Sequence, residues 1–486
     1  MRTGAVLVFA ACLLVAPARA AESRPGLQPC RLGGVEHDAW CGKVVRPLDP
    51  ARPHGATIDV HFAVLPAVAR NRRADPVVFF AGGPGQSALE LAGPVSRLLA
   101  RFTNRRDIVL IDQRGTGRSA PLVCDDSPPG RALAESADPE RQLAELRACR
   151  ERLQRLPWGD LRQYTTPIAV QDADAVRAAL GVERVDLVGA SYGTRVALEY
   201  LRQFPQQVRR VVIDGVAPPD MSLPATSSPD AQAAFDAMVA SCDADAGCRA
   251  RHPALREHWR ALLASLPREA VVQHPLTGAP ERLTLTRDLV VGLVRQPLYA
   301  PITSSALPLA IDEAAAGRFS ALVGLAAGFA GGRGAAPAQG MHYSVVCAED
   351  LPMLATSADK PGPDFGTAFA RLYERACADW PRGVVPEAFY RVPPSPVPVL
   401  LLSGGIDPAT PPRHAERVAK ALGPKARHLV VANAGHGTLA LGCMRDVVYR
   451  FIDAESEDGA LAVDARCVEA IPRPPDFRPP VAEGAR

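Results

Sequence analysis

Lysine is nearly missing from this chain: of 55 basic residues only Lys43, Lys360, Lys420 and Lys425 are lysines, and the arginines are interspersed with 52 acids rather than gathered into a stripe. That scatter and a formal net charge of +3 exclude a dedicated nucleic-acid surface, so no nucleic-acid partner is expected. Metal motifs are missing too. With no C-x-x-C pair and no H-E-x-x-H helix, there is no zinc or redox motif, and no metal or other cofactor is expected. Beyond Val15 no charge-free apolar stretch is long enough for a stable membrane span. What is present is 47% hydrophobic and 22% charged, too apolar for a disordered chain. At 486 residues the length fits two or three domains, or one large α/β domain carrying an insertion.

Residues 1–20 read as an export signal. Arg2 precedes an apolar run from Ala5 to Val15, and Ala18-Arg19-Ala20 offers a small-x-small cleavage site. A lipoprotein anchored through Cys12 is the alternative, which Phe9 fits poorly. Removing residues 1–20 takes away Arg2 and Arg19 and no acid, so +3 becomes +1. Ten of the eleven cysteines lie beyond the cut, an even number as bridges in an oxidising compartment require. They fall into five local pairs: Cys30 with Cys41, Cys124 with Cys149, Cys242 with Cys248, Cys347 with Cys377, and Cys443 with Cys467. Nearest-neighbour pairing is the expectation, each bridge contributing about 2–4 kcal/mol.

Short apolar runs alternate with helix-like segments in the first half, the pattern of a mostly parallel sheet flanked by helices. Residues 58–64 alternate like a half-exposed edge strand. Residues 77–80, 108–111, 185–188 and 211–213 are near-continuous apolar runs, as strands covered on both faces require. A helix capped by Thr166, begun by Pro167 and ended by Gly181 lies between two of them. The pattern resumes at 399–402, with a helix from Thr410-Pro411 to Gly423-Pro424 and a strand at 428–431. Between Pro218 and Pro398 the texture turns Ala- and Arg-rich and helical. The expected division is therefore 21–217 and 397–471 for the sheet core, 218–396 for a helical cap inserted over it, and 472–486 for a Pro-rich, extended or disordered tail.

The sharpest motif is Gly189-Ala190-Ser191-Tyr192-Gly193, a G-x-S-x-G placed directly after a strand and before a helix. A tight strand-to-helix turn needs small neighbours so that the serine projects above the sheet, which makes Ser191 the candidate nucleophile. A serine hydroxyl needs a base, and the base needs an orienting carboxylate. Asp407, just past the strand ending at Leu402, and His436, just past the strand ending at Val431, follow in the order Ser, Asp, His, at the strand ends where ligands bind in open α/β sheets. Two donors for the oxyanion are expected from the Tyr192 N–H and from Gly83, with Gly82 as runner-up, in the loop Ala81-Gly82-Gly83-Pro84-Gly85. Gly115-Thr116-Gly117-Arg118-Ser119-Ala120 imitates a dinucleotide fingerprint, but Pro121 and Cys124 follow where a helix should run. The expectation instead is that Asp112 and Arg114 pair with each other and pin this loop. His342 and His414 are isolated histidines with a surface or core role. Phe235, Trp259, Tyr299, Tyr343 and Trp380 are core aromatics by default and pocket walls by exception.

Phe80-Ala81-Gly82-Gly83-Pro84-Gly85, Asp112-Gln113-Arg114-Gly115-Thr116-Gly117-Arg118-Ser119, the segment from Gly189 to Thr194, Asp407-Pro408-Ala409-Thr410-Pro411 and Gly435-His436-Gly437 together resemble the α/β-hydrolase serine peptidases of the tripeptidyl and prolyl aminopeptidase group. The resemblance covers nearly all the chain after residue 20 except the cap details and the tail, and is nearer the secreted, large-cap tripeptidyl branch. Ala81 stands where the prolyl enzymes carry His, which speaks against proline specificity and not against catalysis. The resemblance implies an α/β-hydrolase fold and release of short peptides or single residues from free N-termini. Such an enzyme must hold the substrate ammonium with a carboxylate. The segment Tyr343–Asp350 resembles a motif of this branch, and it implies Glu349 for that role, with Asp350 second. A carboxylesterase using the same three residues on a small ester is the alternative. A non-catalytic binding protein of the same fold is the remote one, since no member of the trio is lost.

Overall fold

The computed structural model describes residues 24, 26–124, 130–331 and 337–478, with backbone only at 329–331. The export segment 1–20, Cys12 and residues 479–486 of the tail lie outside the described residues.

Eleven strands are present among them: β1 (Gln28–Cys30), β2 (Ala39–Pro47), β3 (Thr57–Leu65), β4 (Val77–Phe80), β5 (Ile108–Ile111), β6 (Val185–Ala190), β7 (Val208–Asp214), β8 (Arg268–Gln273), β9 (Pro280–Leu285), β10 (Val399–Gly404) and β11 (Ala426–Val431). Nine form one sheet in the order β1-β2-β3-β5-β4-β6-β7-β10-β11. It is parallel from β5 to β11 and antiparallel from β1 to β5. The continuous apolar runs become the parallel strands for the expected reason: both of their faces are covered. Val78, Val109, Leu187, Val211 and Leu401 pack into one apolar layer, and Val77, Phe79, Ile108, Leu110, Val188, Val212 and Leu402 into the other. Each such fully buried side chain contributes about 1.5–3 kcal/mol. The register pairs Phe80 with Gly189 and Ala190 with Asp214, so the carboxyl ends of the central strands finish side by side.

Three expectations need correction. Strand β3 is not an edge strand but lies between β2 and β5. The hairpin β1–β2, closed by the Cys30–Cys41 bridge, covers its free side, and its short, largely exposed first strand carries little apolar signal. The helix Thr166–Ala179 is preceded by Thr165 at the cap position, neither threonine capping it through a side chain, because the Thr166 hydroxyl is engaged elsewhere. Between β7 and β10 the chain is not wholly helical, since β8 and β9 pair as an antiparallel hairpin whose alternating faces are mostly exposed.

That stretch also splits in two. Helices such as Leu223–Ala244, Leu255–Ala264 and Arg287–Leu298 build an apolar cluster of their own around Phe235, Trp259 and Leu307. Met341, Val345, Cys347, Cys377 and Trp380 instead pack into the layer that covers the sheet. Of the five aromatics singled out in the sequence, Phe235, Trp259 and Trp380 are thus core. All five cysteine pairs are bridged as nearest neighbours. The described part of the tail, residues 472–478, is neither helix nor strand and touches the stretch between β7 and β10: the Phe477 N–H donates to the Ser305 carbonyl at 3.0 Å and Arg251 to the Asp476 carboxylate at 2.8 Å. Among the described residues no helix is long and apolar enough to cross a membrane.

Candidate active site

Strand β6 ends in a turn that only small residues permit. Ser191 holds φ +55° and ψ −124°, a conformation that is costly for a residue with a Cβ and persists only where its surroundings enforce it. A Cβ on Gly189 would stand 2.3 Å from the Gly193 carbonyl oxygen, and one on Gly193 would stand 2.1 Å from the Phe80 carbonyl oxygen. Neither approach is possible with a side chain, which accounts for both glycines of the motif. The Ser191 N–H donates to the Asp214 carbonyl at 2.9 Å, and the helix Tyr192–Gln203 begins immediately afterwards.

The loop after β10 carries Asp407, which is 1% exposed and accepts four hydrogen bonds. The His436 Nδ1–H donates at 2.8 Å, the Ala409 and Thr410 N–H groups at 2.8 and 2.9 Å, and the Thr410 hydroxyl at 2.8 Å. Burial opposes ionisation of this carboxyl, but the neighbouring imidazole and these donors outweigh it and hold it below the usual carboxylate range. The loop after β11 carries His436. Its own N–H donates to the Tyr299 carbonyl at 2.7 Å, and the two rings meet edge to face with centroids 5.3 Å apart. On the other side of the same loop Asp214, at the end of β7, accepts from the Thr438 N–H at 2.7 Å and hydroxyl at 2.9 Å and from the Leu439 N–H at 3.0 Å. Ser191, Tyr192, Asp214 and His436 all line one cavity of about 910 Å³, and so do Gly82 and Gly83. Gly82 passes nearest the serine: a Cβ there would lie 3.1 Å from that of Ser191.

The acidic pair behaves differently from the sequence-based expectation. Residues Val346–Asp350 form a π-helical turn, and that wide turn sends the two carboxylates to different places. Asp350 lines the cavity while holding Arg195 through two hydrogen bonds of 2.8 and 3.1 Å and accepting from the Leu223 N–H at 2.9 Å. Glu349 faces inward, away from the cavity lining. It accepts from the Thr166 N–H at 2.6 Å, the Thr166 hydroxyl at 2.9 Å and Arg195 at 3.2 Å. Of the two candidate acids, Asp350 is thus the one on the cavity wall, with Glu349 behind it. Burial pushes the Glu349 carboxyl up to about 7, against the opposing effects of Arg195 and Thr166. The Thr166 hydroxyl also meets the Tyr192 hydroxyl at 2.6 Å, so one buried network runs from the serine turn to the acidic pair. Burial raises the Tyr192 phenol above its usual range, and the Glu349 charge adds to it.

Asp112 and Arg114 do not pair with each other. The Asp112 carboxylate accepts from the Ser87 hydroxyl at 2.6 Å and from the Leu89 and Arg118 N–H groups, while Arg114 grips Asp172 at 2.6 and 3.0 Å and donates to the Leu48 and Gln163 carbonyls. Both pin the loop, and apart from the Arg118 N–H their partners lie well away in the sequence. His342 lies on the cavity wall between the Pro84 carbonyl and the Tyr373 hydroxyl, and burial lowers its basicity. His414 is buried against Asp230. Tyr299 is the one aromatic of the five that lines the cavity, where Phe369 and Tyr373 join it.

Sequence reasoning missed Asp214, Arg195 and Arg295 at this site. The rule that found Asp407 applies equally to Asp214, an acid closing an apolar strand at the sheet's carboxyl edge. Arg195 is a charge on the buried face of the serine helix, which demands a buried partner. Among the described residues the group of potential metal ligands close enough together is Cys248, His252 and Asp476, but the Cys248 sulfur is committed to its bridge with Cys242.

The alpha/beta hydrolase fold family matches residues 75–442. Serine protease Hip1 of Mycobacterium tuberculosis is 28% identical over 447 residues, covering 83% of this chain and 85% of that protein. The tripeptidyl aminopeptidase of Streptomyces lividans is 28% identical over 503 residues, covering 95% of this chain and 90% of that one. Among solved structures, the proline iminopeptidase of Mycobacterium smegmatis aligns over 87% of this chain and 100% of its own with 19% identity and a TM-score of 0.38.

Proposed function

The chain belongs to the alpha/beta hydrolase fold family, and from that premise we propose that it is an exported serine aminopeptidase that releases short peptides or single residues from free N-termini through an acyl-enzyme. The observation that carries the reading is a single cavity shared by a serine at φ +55° and a histidine oriented by a buried, four-times hydrogen-bonded aspartate.

His436 takes the proton of Ser191 as its Oγ attacks the substrate carbonyl, and the low-lying Asp407 carboxylate keeps the imidazole in one tautomer and stabilises its cation. The Tyr192 N–H stands at the first turn of its helix, where it has no intrahelical acceptor, and together with the Gly83 N–H it receives the oxyanion. His436 then returns its proton to the leaving amine, and water attacks the ester by the reverse sequence, restoring Ser191. The cluster of Glu349, Asp350 and Arg195 carries one net negative charge while both acids are ionised. This charge, presented through Asp350, holds the substrate ammonium. Peptidase relatives over most of the chain support a peptide rather than an ester substrate. Five disulfides support an oxidising, extracytoplasmic setting.

The test is initial rates of the protein and its Ser191→Ala variant on chromogenic free-amine tripeptides, free-amine single residues including proline, the same peptides N-blocked, and a short-chain ester. The expected result is turnover of free-amine peptides that is lost on blocking and falls by about 10³-fold or more in Ser191→Ala. Ester turnover alone, abolished by the same substitution, would keep the three residues and remove the peptidase.

A further inference from the structure

Two arginines line the active-site cavity, and they are not equivalent. Arg195 is neutralised: Asp350 takes it bidentately, Glu349 adds a third contact, and the Met221 carbonyl accepts from its other arm. Arg295 has no carboxylate partner among the described residues. Its one hydrogen bond runs from Nη2 to the Tyr299 hydroxyl at 3.0 Å, and its Nε is buried without an acceptor. Two ring faces flank it, with the guanidinium carbon 5.4 Å from the Tyr299 ring centre and 4.9 Å from that of Phe369. Ring faces hold a cation in place but leave most of its five donors free.

The position matters as much as the charge. Arg295 sits one helical turn before Tyr299, whose carbonyl fixes the His436 backbone. The Tyr299 ring neighbours both the guanidinium, at 5.4 Å, and the His436 imidazole, at 5.3 Å. One residue of extended peptide spans about 3.3–3.6 Å, so a group held by Arg295 belongs to a residue within a few positions of the bond being cut. A planar guanidinium in a partly desolvated wall is suited to a carboxylate, which it can take with two parallel hydrogen bonds.

We propose that Arg295 is a specificity-determining residue that binds a substrate carboxylate close to the scissile bond, so that acidic substrates are preferred over their neutral isosteres. This rests on the reading of the cavity as a peptidase site and adds the charge of its substrate. The carboxylate has two sources, an acidic side chain or the free C-terminus of a short peptide, and the chemistry at Arg295 is the same.

Free-amine tetrapeptides and pentapeptides carrying Glu or Gln at one position at a time, each as C-terminal acid and C-terminal amide, separate them. Product release is followed by chromatography at low salt for the protein, Arg295→Gln and Arg295→Lys. The quantity compared is the ratio of kcat/KM within each charged and neutral pair, which a general loss of activity does not move. The expected ratio is about tenfold in favour of the carboxylate, the scale of one charge-assisted hydrogen bond. It falls to about one in Arg295→Gln, is partly kept in Arg295→Lys, and shrinks in 0.5 M salt. A Glu preference at one position identifies the side chain, and an acid-over-amide preference identifies the C-terminus. Ratios within about twofold of one in the unaltered protein, or a tenfold ratio that survives in Arg295→Gln, overturn the inference. If Arg295→Gln does not fold, the unaltered protein's ratio and its salt dependence decide. If no peptide is cut, the same comparison on a p-nitrophenyl ester with a terminal carboxylate and its neutral isostere decides the role of Arg295 separately from that of the peptidase.

Discussion

The sheet and the insertion contribute to the same cavity by different physics. From the sheet come Ser191, His436 and Asp214, with Asp407 behind His436, at or just past strand ends and held by backbone groups: a carbonyl for the Ser191 N–H, amide donors for Asp407, amide donors for Asp214, while the His436 N–H is held by the Tyr299 carbonyl of the insertion. From the insertion come Asp350, Arg295, Phe369 and Tyr373, held mostly by side-chain ion pairs and ring contacts. Backbone-anchored groups tolerate little displacement, which suits atoms that must transfer a proton within hydrogen-bond distance. Side-chain anchoring can be rewritten by single substitutions without disturbing the sheet, which suits the choice of substrate. The groups proposed for reaction and for selectivity are thus largely divided between the two regions, which meet where the Tyr299 carbonyl holds the His436 N–H.

The largest effect that would expose this separation is on the sheet side. Asp407→Asn keeps the shape but loses the negative charge facing the His436 Nδ1–H, and kcat is expected to fall by about 10⁴-fold with KM little changed; an equal fall in affinity for a competitive inhibitor would show that the two regions are not separable. A smaller effect belongs to the acidic pair. Glu349 titrates near pH 7, so as pH falls through that value it takes up a proton, the cluster with Asp350 and Arg195 goes from one net negative charge to none, and KM for free-amine peptides rises. Relative to a neutral competitive inhibitor that lacks the ammonium, the preference for binding the free amine is expected to drop several-fold between pH 7 and pH 5.5, a range in which the substrate amine stays largely protonated. In Glu349→Gln the preference should be low at both pH values; a pH response unchanged by that substitution would assign it to another group. The smallest effect concerns stability alone. The Cys242–Cys248 bridge closes a loop of only six residues' separation, so replacing both by serine is expected to cost about 2 kcal/mol and lower the melting temperature by roughly 2–4 °C, with the Glu-to-Gln rate ratio unmoved. Differential scanning calorimetry reads the first and peptide kinetics the second.

Legibility in the sequence follows the same division. Strands β4 and β5 match their apolar runs residue for residue, and the three residues proposed for the reaction were legible as candidates because each obeys a local rule: a glycine-flanked serine after a strand, an acid and a histidine just beyond later strands. The relation of Asp350 to Arg195 spans 155 residues, and no spacing encodes it. The resemblance pointed to this turn, but which of two adjacent acids faces the cavity is decided by the wide backbone turn at Val346–Asp350, which leaves no mark in residue type. Arg114 found Asp172 rather than Asp112 because a buried guanidinium takes the carboxylate whose geometry allows two bonds, and proximity in the chain does not set that. Hairpins β1–β2 and β8–β9 escaped notice because their strands are half exposed and mixed in polarity, which dilutes the alternation that marks a strand.

The contact between the Tyr299 carbonyl and the His436 N–H bears on how such molecules can be recombined. An insertion between two strands invites exchange as a unit, with chimaeras joined at the flanking prolines. Here the imported segment would also have to supply a carbonyl at the point where residue 299 now stands, and it would have to keep the close passage at Gly435, where even a methyl group would meet that carbonyl at 2.3 Å. A graft that ignores this corner inherits a new pocket and an untethered base. One that carries residues 295–301 across with the old geometry keeps the His436 loop tethered while new walls are built around it.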